Sequence, residues 1–229
     1  MLFNRRRLQT LREENPFLPA VELAYQMLLE SLLDGHLRPG DHLNQSDLAE
    51  QLDMSRSPVR DALLRLEDEG FVLHDSRGFQ VPLLEGQDFA DFMEFRTEME
   101  CVAARLATHY ATREQLQAME RNLEAYQKAI AENDRPAATR LDSAFHELVA
   151  EAAGNAHLRQ VYRQVIREAR FYLIRLVPRQ VVELNLKRHR AIWQAVADRD
   201  ENAAEAAVRT HMADAMRTAL RVQTDQKNK

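Results

Sequence analysis

Apolar positions in the first third of the chain recur at helical spacing. The first set lies on one predicted helix face, at Val21, Tyr25, Leu28, Leu29 and Leu32. Steps of three and four residues are typical of an amphipathic helix, and Gly35 follows at the position of a C-cap. The pattern predicts a helix that ends before residue 35 and packs this face into a core.

Two shorter apolar faces follow, one on each side of a few polar residues. One is formed by Leu48, Ala49 and Leu52, and the other by Val59, Leu63, Leu66 and Phe71. Residues 53–56 leave room only for a tight turn between them. Ser57 and Pro58 favour a helix start, with serine as the N-cap and proline at the first helical position. The sequence therefore predicts a helix-turn-helix.

Polar groups suited to a nucleic acid stand at the start of the second helix. Arg56, Ser57 and Arg60 would lie at its N-terminal end, where the helix dipole and free N–H groups favour phosphate. In helix-turn-helix proteins this end of the recognition helix meets base edges in the major groove. The alternative is a solvated arginine surface on an ordinary helical hairpin.

The residues after the second helix favour DNA binding. Residues 71–74 and 79–81 are rich in β-forming side chains and flank a turn that contains Arg77 and Gly78. They predict a two-stranded wing with Arg77 at its tip. A helix-turn-helix followed by a wing is more typical of a DNA-binding domain than of a helical hairpin.

These elements match the pattern of a known family. The pattern is Gly35-x-Leu37-x-Pro39-Gly40-x-x-Leu43, then Leu48-Ala49-x-x-Leu52, Ser55-Arg56-x-Pro58-Val59-Arg60-x-Ala62-Leu63 and Glu69-Gly70-Phe71-Val72. Over residues 20–82 it resembles the DNA-binding domain of the GntR family of bacterial transcription regulators. The resemblance implies that Arg56 and Arg60 contact bases or adjacent phosphates, and that Ser57 contacts the backbone.

The resemblance also implies a DNA contact for the wing, and the sequence differs from the family pattern at three positions. Arg77 with Gly78 would reach the minor groove or its edge. Asp53 stands where the family usually has glycine, Gln45 where it usually has glutamate, and Asp61 where glutamate is common. Because aspartate tolerates a left-handed turn better than most residues, we expect these departures to change the operator sequence rather than the fold.

Net charge by itself does not favour a nucleic-acid partner. The chain has a net charge of −5, and residues 1–82 hold 9 arginines, no lysine and 14 acidic residues, which again gives −5. DNA binding therefore depends on where the charges lie. The arginines expected near the recognition helix and wing are Arg56, Arg60, Arg65 and Arg77. With so few cationic contacts per subunit we expect a homodimer, because two domains on one operator roughly double the electrostatic contribution.

A basic segment precedes the first helix. Arg5, Arg6 and Arg7 lie within residues 1–16, which we predict to be a flexible arm. Such an arm can follow phosphates or a minor groove, and a frayed, solvated terminus is the alternative. The winged helix-turn-helix domain is then assigned to residues 17–82.

From residue 87 onward the chain has nearly continuous helical periodicity. Five of its six glycines fall within the first 86 residues. The predicted breaks lie at residues 111–112, 133–136, 154–155, 178 and 199–200. They indicate a mainly α protein in which the winged domain is followed by an all-α bundle of six to seven helices over residues 88–221. Residues 83–87 form the predicted linker, and residues 222–229 a polar tail.

Metal-ligating side chains fall on helix faces that should be packed in this bundle. Asp142 and His146 are four residues apart and so share one side of a helix. His189 and His211 lie in two further predicted helices. Three imidazoles and one carboxylate could meet on a divalent ion with open positions. The alternative is that each histidine is an ordinary hydrogen-bonded core residue.

The second half of the chain also resembles a known domain. The residues that carry the likeness are Arg96-x-x-x-Glu100, Ala103-Ala104-x-Leu106-Ala107, Asp142-x-x-x-His146, Gly154-Asn155, His189-x-x-Ile192, Asp200 and His211. They resemble the FCD ligand-binding domain of the FadR branch of the GntR family, over about residues 88–221.

That resemblance implies a ligand set and an effector. The positions that bind a divalent metal such as Zn, Ni or Mn would be Asp142, His146, His189 and His211. Open sites on the ion would accept a small organic acid, and Arg96 would bind its carboxylate, because a guanidinium matches a carboxylate in shape and charge. The alternative for Arg96 is a structural pair with Glu100, four residues along the same helix.

Together these patterns predict a regulator rather than an enzyme. We expect a repressor of an operator, controlled by a small carboxylate at a metal site, because most members of the resembled family are repressors released by an effector. A metal-sensing regulator and a metal-dependent enzyme are the alternatives. The single Cys101 excludes an internal disulfide, and no apolar run approaches the ~20 residues of a membrane span. A cytoplasmic location is therefore expected.

Overall fold

The chain divides into two compact units. The computed structural model describes residues 3–82, 86–173 and 179–227. The units are Met1–Leu84 and Glu85–Lys229, and each has its own set of buried apolar side chains. The predicted fold class is confirmed, with a winged helix-turn-helix unit first and a helical unit second. None of the described helices combines the length and apolar character that a membrane span requires.

The first unit contains four helices and three short strands. They are α1 (Arg5–Glu14), α2 (Ala20–Leu33), β1 (His42–Leu43), α3 (Gln45–Leu52), α4 (Arg56–Asp68), β2 (Leu73–Asp75) and β3 (Gly78–Gln80). Helix α4 packs against both α2 and α3. Leu28, Leu52 and Leu63, one from each helix, are fully buried in this core. The apolar faces read from the sequence therefore meet one another, as the periodicity predicts.

Helix α1 occupies the segment predicted to be a flexible arm. Leu8 and Leu11 are buried. Arg7 donates from Nε and Nη2 to the carboxylate of Glu30 in α2, at 3.1 and 2.9 Å. A helix of ten residues is marginal on its own in water. The contacts with α2 account for its order, and they correct the prediction of an arm over residues 1–16.

The turn between α3 and α4 is closed by a left-handed residue. Asp53 has a φ of 52° and caps the C-terminus of α3. Arg12 of α1 donates from Nη2 to the carbonyl oxygens of Leu52 and Asp53, at 2.9 and 3.1 Å. Asp53, which stands where the family usually has glycine, therefore adopts the left-handed backbone conformation that glycine adopts readily.

The start of the recognition helix differs from the prediction. Helix α4 begins at Arg56 with Ser55 at the N-cap, so Ser57 lies inside the first turn and is not the N-cap. Pro58 is still accommodated, because the first N–H groups of a helix have no intrahelical partner to lose.

The wing contains one more strand than predicted. Strand β3 lies between β1 and β2 and is antiparallel to both, with Phe79 opposite Leu43 on one side and His74 on the other. Gly78 opens β3 with a φ of 109°, a conformation that glycine adopts without strain. The sequence predicts only two strands because β1 has two residues, too few for an alternating pattern.

The second unit consists of six helices in the described ranges. They are α5 (Gly86–Tyr110), α6 (Arg113–Ala131), α7 (Arg135–Ala152), α8 (Ala156–Leu173), α9 (Arg179–Ala197) and α10 (Glu201–Lys227). Four of the predicted breaks coincide with helix ends, and the predicted break at residue 178 lies outside the described residues. Helix α5 begins before the predicted start at residue 88, and α10 continues through most of the predicted tail.

Helix α7 has a central position in this unit. It packs against α5, α6, α8 and α9, while α10 packs against α5 and α9. Its N-terminus is fixed by the Asp134 side chain, which accepts a hydrogen bond from the N–H of Ala137, and by Pro136 in the first turn. Polar side chains on the inner face of α7 are consequently surrounded by other helices.

Candidate metal centre and nucleic-acid interface

Three histidines from three helices meet inside the second unit. His146 comes from α7, His189 from α9 and His211 from α10, and all three are buried. One ring nitrogen of each lies within 4.8 Å of the other two. The rings contact one another, with centroid distances of 4.7 to 5.2 Å. The structure thus brings together three of the four residues named from the sequence as metal ligands.

Several nitrogens in this cluster have no hydrogen-bond partner. They are Nε2 of His146, both ring nitrogens of His189, and Nδ1 of His211. Leaving a buried polar atom unsatisfied costs about 1–3 kcal/mol, so such atoms are rare unless a ligand, water or ion completes them. Nitrogen ligands of this type suit zinc and other divalent transition metals. The donor set therefore fits a metal ion.

The protonation of two of the three histidines, His189 and His211, favours the form that binds metal. Burial, and then the charge of His146, lowers the pKa of His189 well below its usual value. Burial together with the charges of His189 and His146 lowers the pKa of His211 in the same direction. Both rings are therefore neutral near pH 7, and a neutral imidazole has the lone pair that a metal requires.

Asp142, the fourth predicted ligand, lies beside the cluster. Its Oδ1 is 3.8 Å from Nε2 of His189. Two donors hold that oxygen, the hydroxyl of Tyr126 and Nδ2 of Asn185, both at 3.2 Å. The carboxylate is adjacent to the three histidines but is not one of the ligand atoms that converge within 4.8 Å.

Arg96 occupies its alternative role, as a partner of Glu100. Its Nε donates to Oε1 of Glu100 at 2.7 Å, and both side chains are buried. The other oxygen, Oε2, lies 2.7 Å from Nδ1 of His146. Burial alone would raise the pKa of Glu100, but the charges of His146 and Arg96 outweigh it, and the pKa lies well below its usual value. Glu100 is therefore an anion in contact with the cluster.

Glu100 was not predicted from the sequence to be part of the site. Its spacing from Arg96 is visible in the sequence, but its contact with His146 joins residues 46 positions apart on two helices. Periodicity carries no information about such a pairing.

Two buried amide oxygens near the cluster also have no hydrogen-bond partner. They are Oδ1 of Asn122 and Oδ1 of Asn185. Asn122 lies one helical turn before Tyr126 in α6, and Asn185 one turn before His189 in α9. Residues four apart project from the same helix face. Both acceptors are therefore on the faces of α6 and α9 that carry residues of the site, and neither was identified from the sequence.

The predicted DNA contacts in the first unit are at the surface. Arg56, Ser57 and Arg60 are exposed at the N-terminal turns of α4, while the opposite face of the helix is buried. Arg77 is exposed in the turn between β2 and β3, and Gly78 beside it is partly exposed. This arrangement leaves the cationic end of α4 accessible to a ligand.

Arg65, the fourth arginine assigned to this surface, has a different role. Its Nη1 donates to Glu22 at 2.7 Å and its Nε donates to Glu69 at 3.3 Å. The guanidinium also lies 3.7 Å from the ring centroid of Tyr25. These contacts tie α4 to α2, so Arg65 has a structural role that the sequence did not predict.

Comparison with known proteins identifies both units. Residues 20–81 match the description "Bacterial regulatory proteins, gntR family", and residues 91–214 match the FCD domain. A Bacillus subtilis protein, the uncharacterized HTH-type transcriptional regulator YdhC, is 30% identical over 82% of this chain and 85% of its own. The Escherichia coli HTH-type transcriptional repressor RspR is 26% identical, over 86% and 88%. The E. coli McbR/YncC structure, 22% identical, covers 90% of this chain and 99% of its own with a TM-score of 0.78, and so shares the fold.

Proposed function

The chain belongs to the GntR family of DNA-binding transcriptional regulators and carries an FCD domain, and from that premise we propose that it is a repressor whose operator affinity is set by a small carboxylate bound at a metal ion in the histidine cluster. The observation that carries this proposal is the group of unpartnered, buried imidazole nitrogens. Relatives named as transcriptional regulators also set aside the metal-dependent enzyme.

His146, His189 and His211 would hold the ion, with Asp142 next to it as a candidate fourth ligand. Zinc, nickel and manganese are the candidate metals, and the all-nitrogen set of converging atoms favours zinc or nickel. A bound divalent ion supplies positive charge and open coordination positions, which is what a small carboxylate needs in a buried site.

The surroundings of the cluster support a ligand with further polar groups. The acceptor oxygens of Asn122 and Asn185 would be satisfied by hydroxyl or ammonium donors on a bound molecule, or by water. Arg96 is already bound to Glu100. That pair uses only Nε, so a role for Arg96 in binding the effector carboxylate would depend on its two terminal nitrogens.

Operator binding would use the exposed end of α4 and the wing. Arg56 and Arg60 would contact base edges or phosphates, Ser57 the backbone, and Arg77 with Gly78 the minor groove. Two copies of the chain related by a two-fold axis would read the two halves of a palindromic site. The effector would act by binding the two arrangements of the dimer with different affinity. This action would take place in the cytoplasm, where the operator is.

The experiment combines a stability screen with DNA-binding titrations. Metal-free protein is loaded with zinc, nickel or manganese and tested by thermal denaturation against matched pairs of small acids with and without a hydroxyl group. A ligand that binds only the native state raises the melting temperature. Operator binding is then titrated with metal alone and with metal plus each stabilising acid.

The outcomes separate the candidates. Release of the operator only when metal and acid are both present supports the proposal. Release by metal alone favours a metal sensor. An operator affinity that responds to neither contradicts both.

A further inference from the structure

The buried carboxylate of Glu100 contacts both Arg96 and His146, a member of the histidine cluster. We infer that Glu100, held by Arg96, is a positioning residue that fixes the His146 ring so that Nε2 faces His189 and His211. This inference rests on the proposed metal site. It adds a residue on a fourth helix, α5, to a site whose ring nitrogens come from α7, α9 and α10.

Each oxygen of Glu100 has a separate partner. Oε1 accepts from Nε of Arg96 at 2.7 Å, and Oε2 lies 2.7 Å from Nδ1 of His146. Burial, and then the charge of this carboxylate, raises the pKa of the Tyr162 hydroxyl in α8. All of these side chains are buried. A carboxylate that is bound through both oxygens has little freedom to rotate. Its Oε2 therefore keeps a fixed direction toward His146.

The hydrogen bond determines which nitrogen of His146 is available. A carboxylate only accepts, so the nitrogen that faces it carries the proton. Nδ1 keeps its proton toward Glu100, so Nε2 is the nitrogen that is left to offer its lone pair to a metal, whose binding releases any proton held there. Nε2 is buried without a hydrogen-bond partner. The Glu100 contact therefore selects the tautomer that can bind a metal.

Histidines that bind metals commonly donate their second N–H to a carboxylate or carbonyl. In the part of the chain that the structure describes, neither nitrogen of His189 has a hydrogen-bond partner, and Nδ1 of His211 has none either. Among the described residues, His146 is thus the member of the cluster whose orientation is set by a carboxylate before any ion binds. His146 would contribute a preformed ligand, and the other two rings would adjust to it.

Arg96 has a separate role in this arrangement. A buried carboxylate without a counter-charge would be costly to desolvate. The guanidinium compensates that cost from the same helix, at the i and i+4 spacing. A purely structural Arg96–Glu100 pair would stabilise α5 in the same way, so the test needs measurements that such a pair would not change.

The test uses two double variants that both remove the charges and differ only in the acceptor. Arg96→Met with Glu100→Gln keeps an oxygen that can accept from Nδ1, whereas Arg96→Met with Glu100→Leu has none. Replacing both members of a buried ion pair is tolerated better than removing one. Glu94→Leu, an exposed position on the same helix, is the control.

Two measurements are made on the full-length protein. Histidine 15N NMR of the metal-free protein reports the His146 tautomer, and calorimetric titration with zinc and with nickel reports affinity. We expect the Nδ1–H tautomer in the wild type and in the glutamine double variant. The leucine double variant should lose that preference and bind metal about 10- to 100-fold more weakly. The Glu94→Leu control should match the wild type.

Several outcomes would overturn the inference. One is an Nε2–H tautomer of His146 in the wild type, which requires no variant to fold. Another is a folded leucine double variant that binds metal within twofold of the wild type, which leaves the proposed metal site intact and removes only the role of Glu100. If the wild type binds neither metal, the proposed function fails and the inference fails with it.

Discussion

At the residue scale, Arg199 in the turn between α9 and α10 has a left-handed backbone conformation and bonds to the end of α5. Arg199 has a φ of 61° and donates to the carbonyl oxygens of Thr108 and Ala111 at 2.8 and 2.6 Å. Those carbonyls are at the C-terminal end of α5, where helix acceptors lack intrahelical partners. The charged hydrogen bonds therefore stabilise the fold at the end of α5, whereas the left-handed backbone of Arg199 destabilises it.

Two substitutions at this position separate the two effects. Arg199→Ala should lower the free energy of unfolding by about 2–3 kcal/mol, since it loses charged hydrogen bonds and keeps a left-handed φ. Arg199→Gly should lose about 1 kcal/mol less, because glycine adopts that φ without strain. Urea unfolding measures both, with exposed Arg113→Ala as the control. Equal losses for the alanine and glycine variants would contradict the strain at residue 199.

Two buried histidines should make the folding stability of the metal-free protein depend on pH. His189 and His211 have folded-state pKa values well below the usual 6.5, because burial disfavours their charged form. The unfolded chain therefore binds more protons than the folded chain as pH falls through 6.5. Stability should fall from about pH 6.5 toward pH 5, by up to about 1.4 kcal/mol per pH unit for each proton.

Denaturant unfolding of metal-free protein at several pH values measures this loss. The variant His189→Gln should show a shallower dependence, because one of the two titrating groups is gone. A stability that stays constant between pH 7 and pH 5 would show that these rings are not held neutral by the fold.

At the scale of elements, helix α4 carries arginines with two different purposes. Arg60 is exposed on the accessible side of the helix. Arg65 pairs with Glu22 and Glu69 and stacks on Tyr25, which joins α4 to α2. The two residues are five positions apart and so point about 140° away from each other around the helix, which agrees with this difference.

Alanine variants should therefore have opposite effects. Arg60→Ala should weaken operator binding about 10-fold or more without a change in melting temperature, since a base contact contributes about 1–3 kcal/mol. Arg65→Ala should cost only about 1 kcal/mol of stability, because its pairs are half-exposed, and should leave the operator contacts in place. Fluorescence anisotropy with operator DNA and thermal denaturation measure the two effects. A reversed pattern would mean that the DNA-facing side of α4 is misassigned.

The elements also show how much of the fold the sequence determines. Long amphipathic helices such as α6 and α7 are predictable, because their apolar faces repeat over many turns and Asp134 with Pro136 marks a start. Helix α1 is not, because its order comes from tertiary contacts such as Arg7 with Glu30. In the site, three inward-facing histidines can be read from their helix faces, whereas Glu100 depends on packing between helices.

At the scale of the whole molecule, the proposed function places DNA binding in one unit and ligand sensing in the other. A change confined to the histidine cluster should then leave the affinity for the operator intact and remove the response to the effector. His146→Ala is the suitable variant, because it removes a ring nitrogen from the cluster while the DNA-facing residues are in the other unit.

The most direct measurement is an operator-binding titration of metal-loaded wild type and His146→Ala, each with and without the carboxylate that stabilises the wild type. Without the acid, both proteins should bind the operator equally well, and addition of the acid should release only the wild type. Release of both proteins by the acid, or of neither, would contradict control through the histidine cluster.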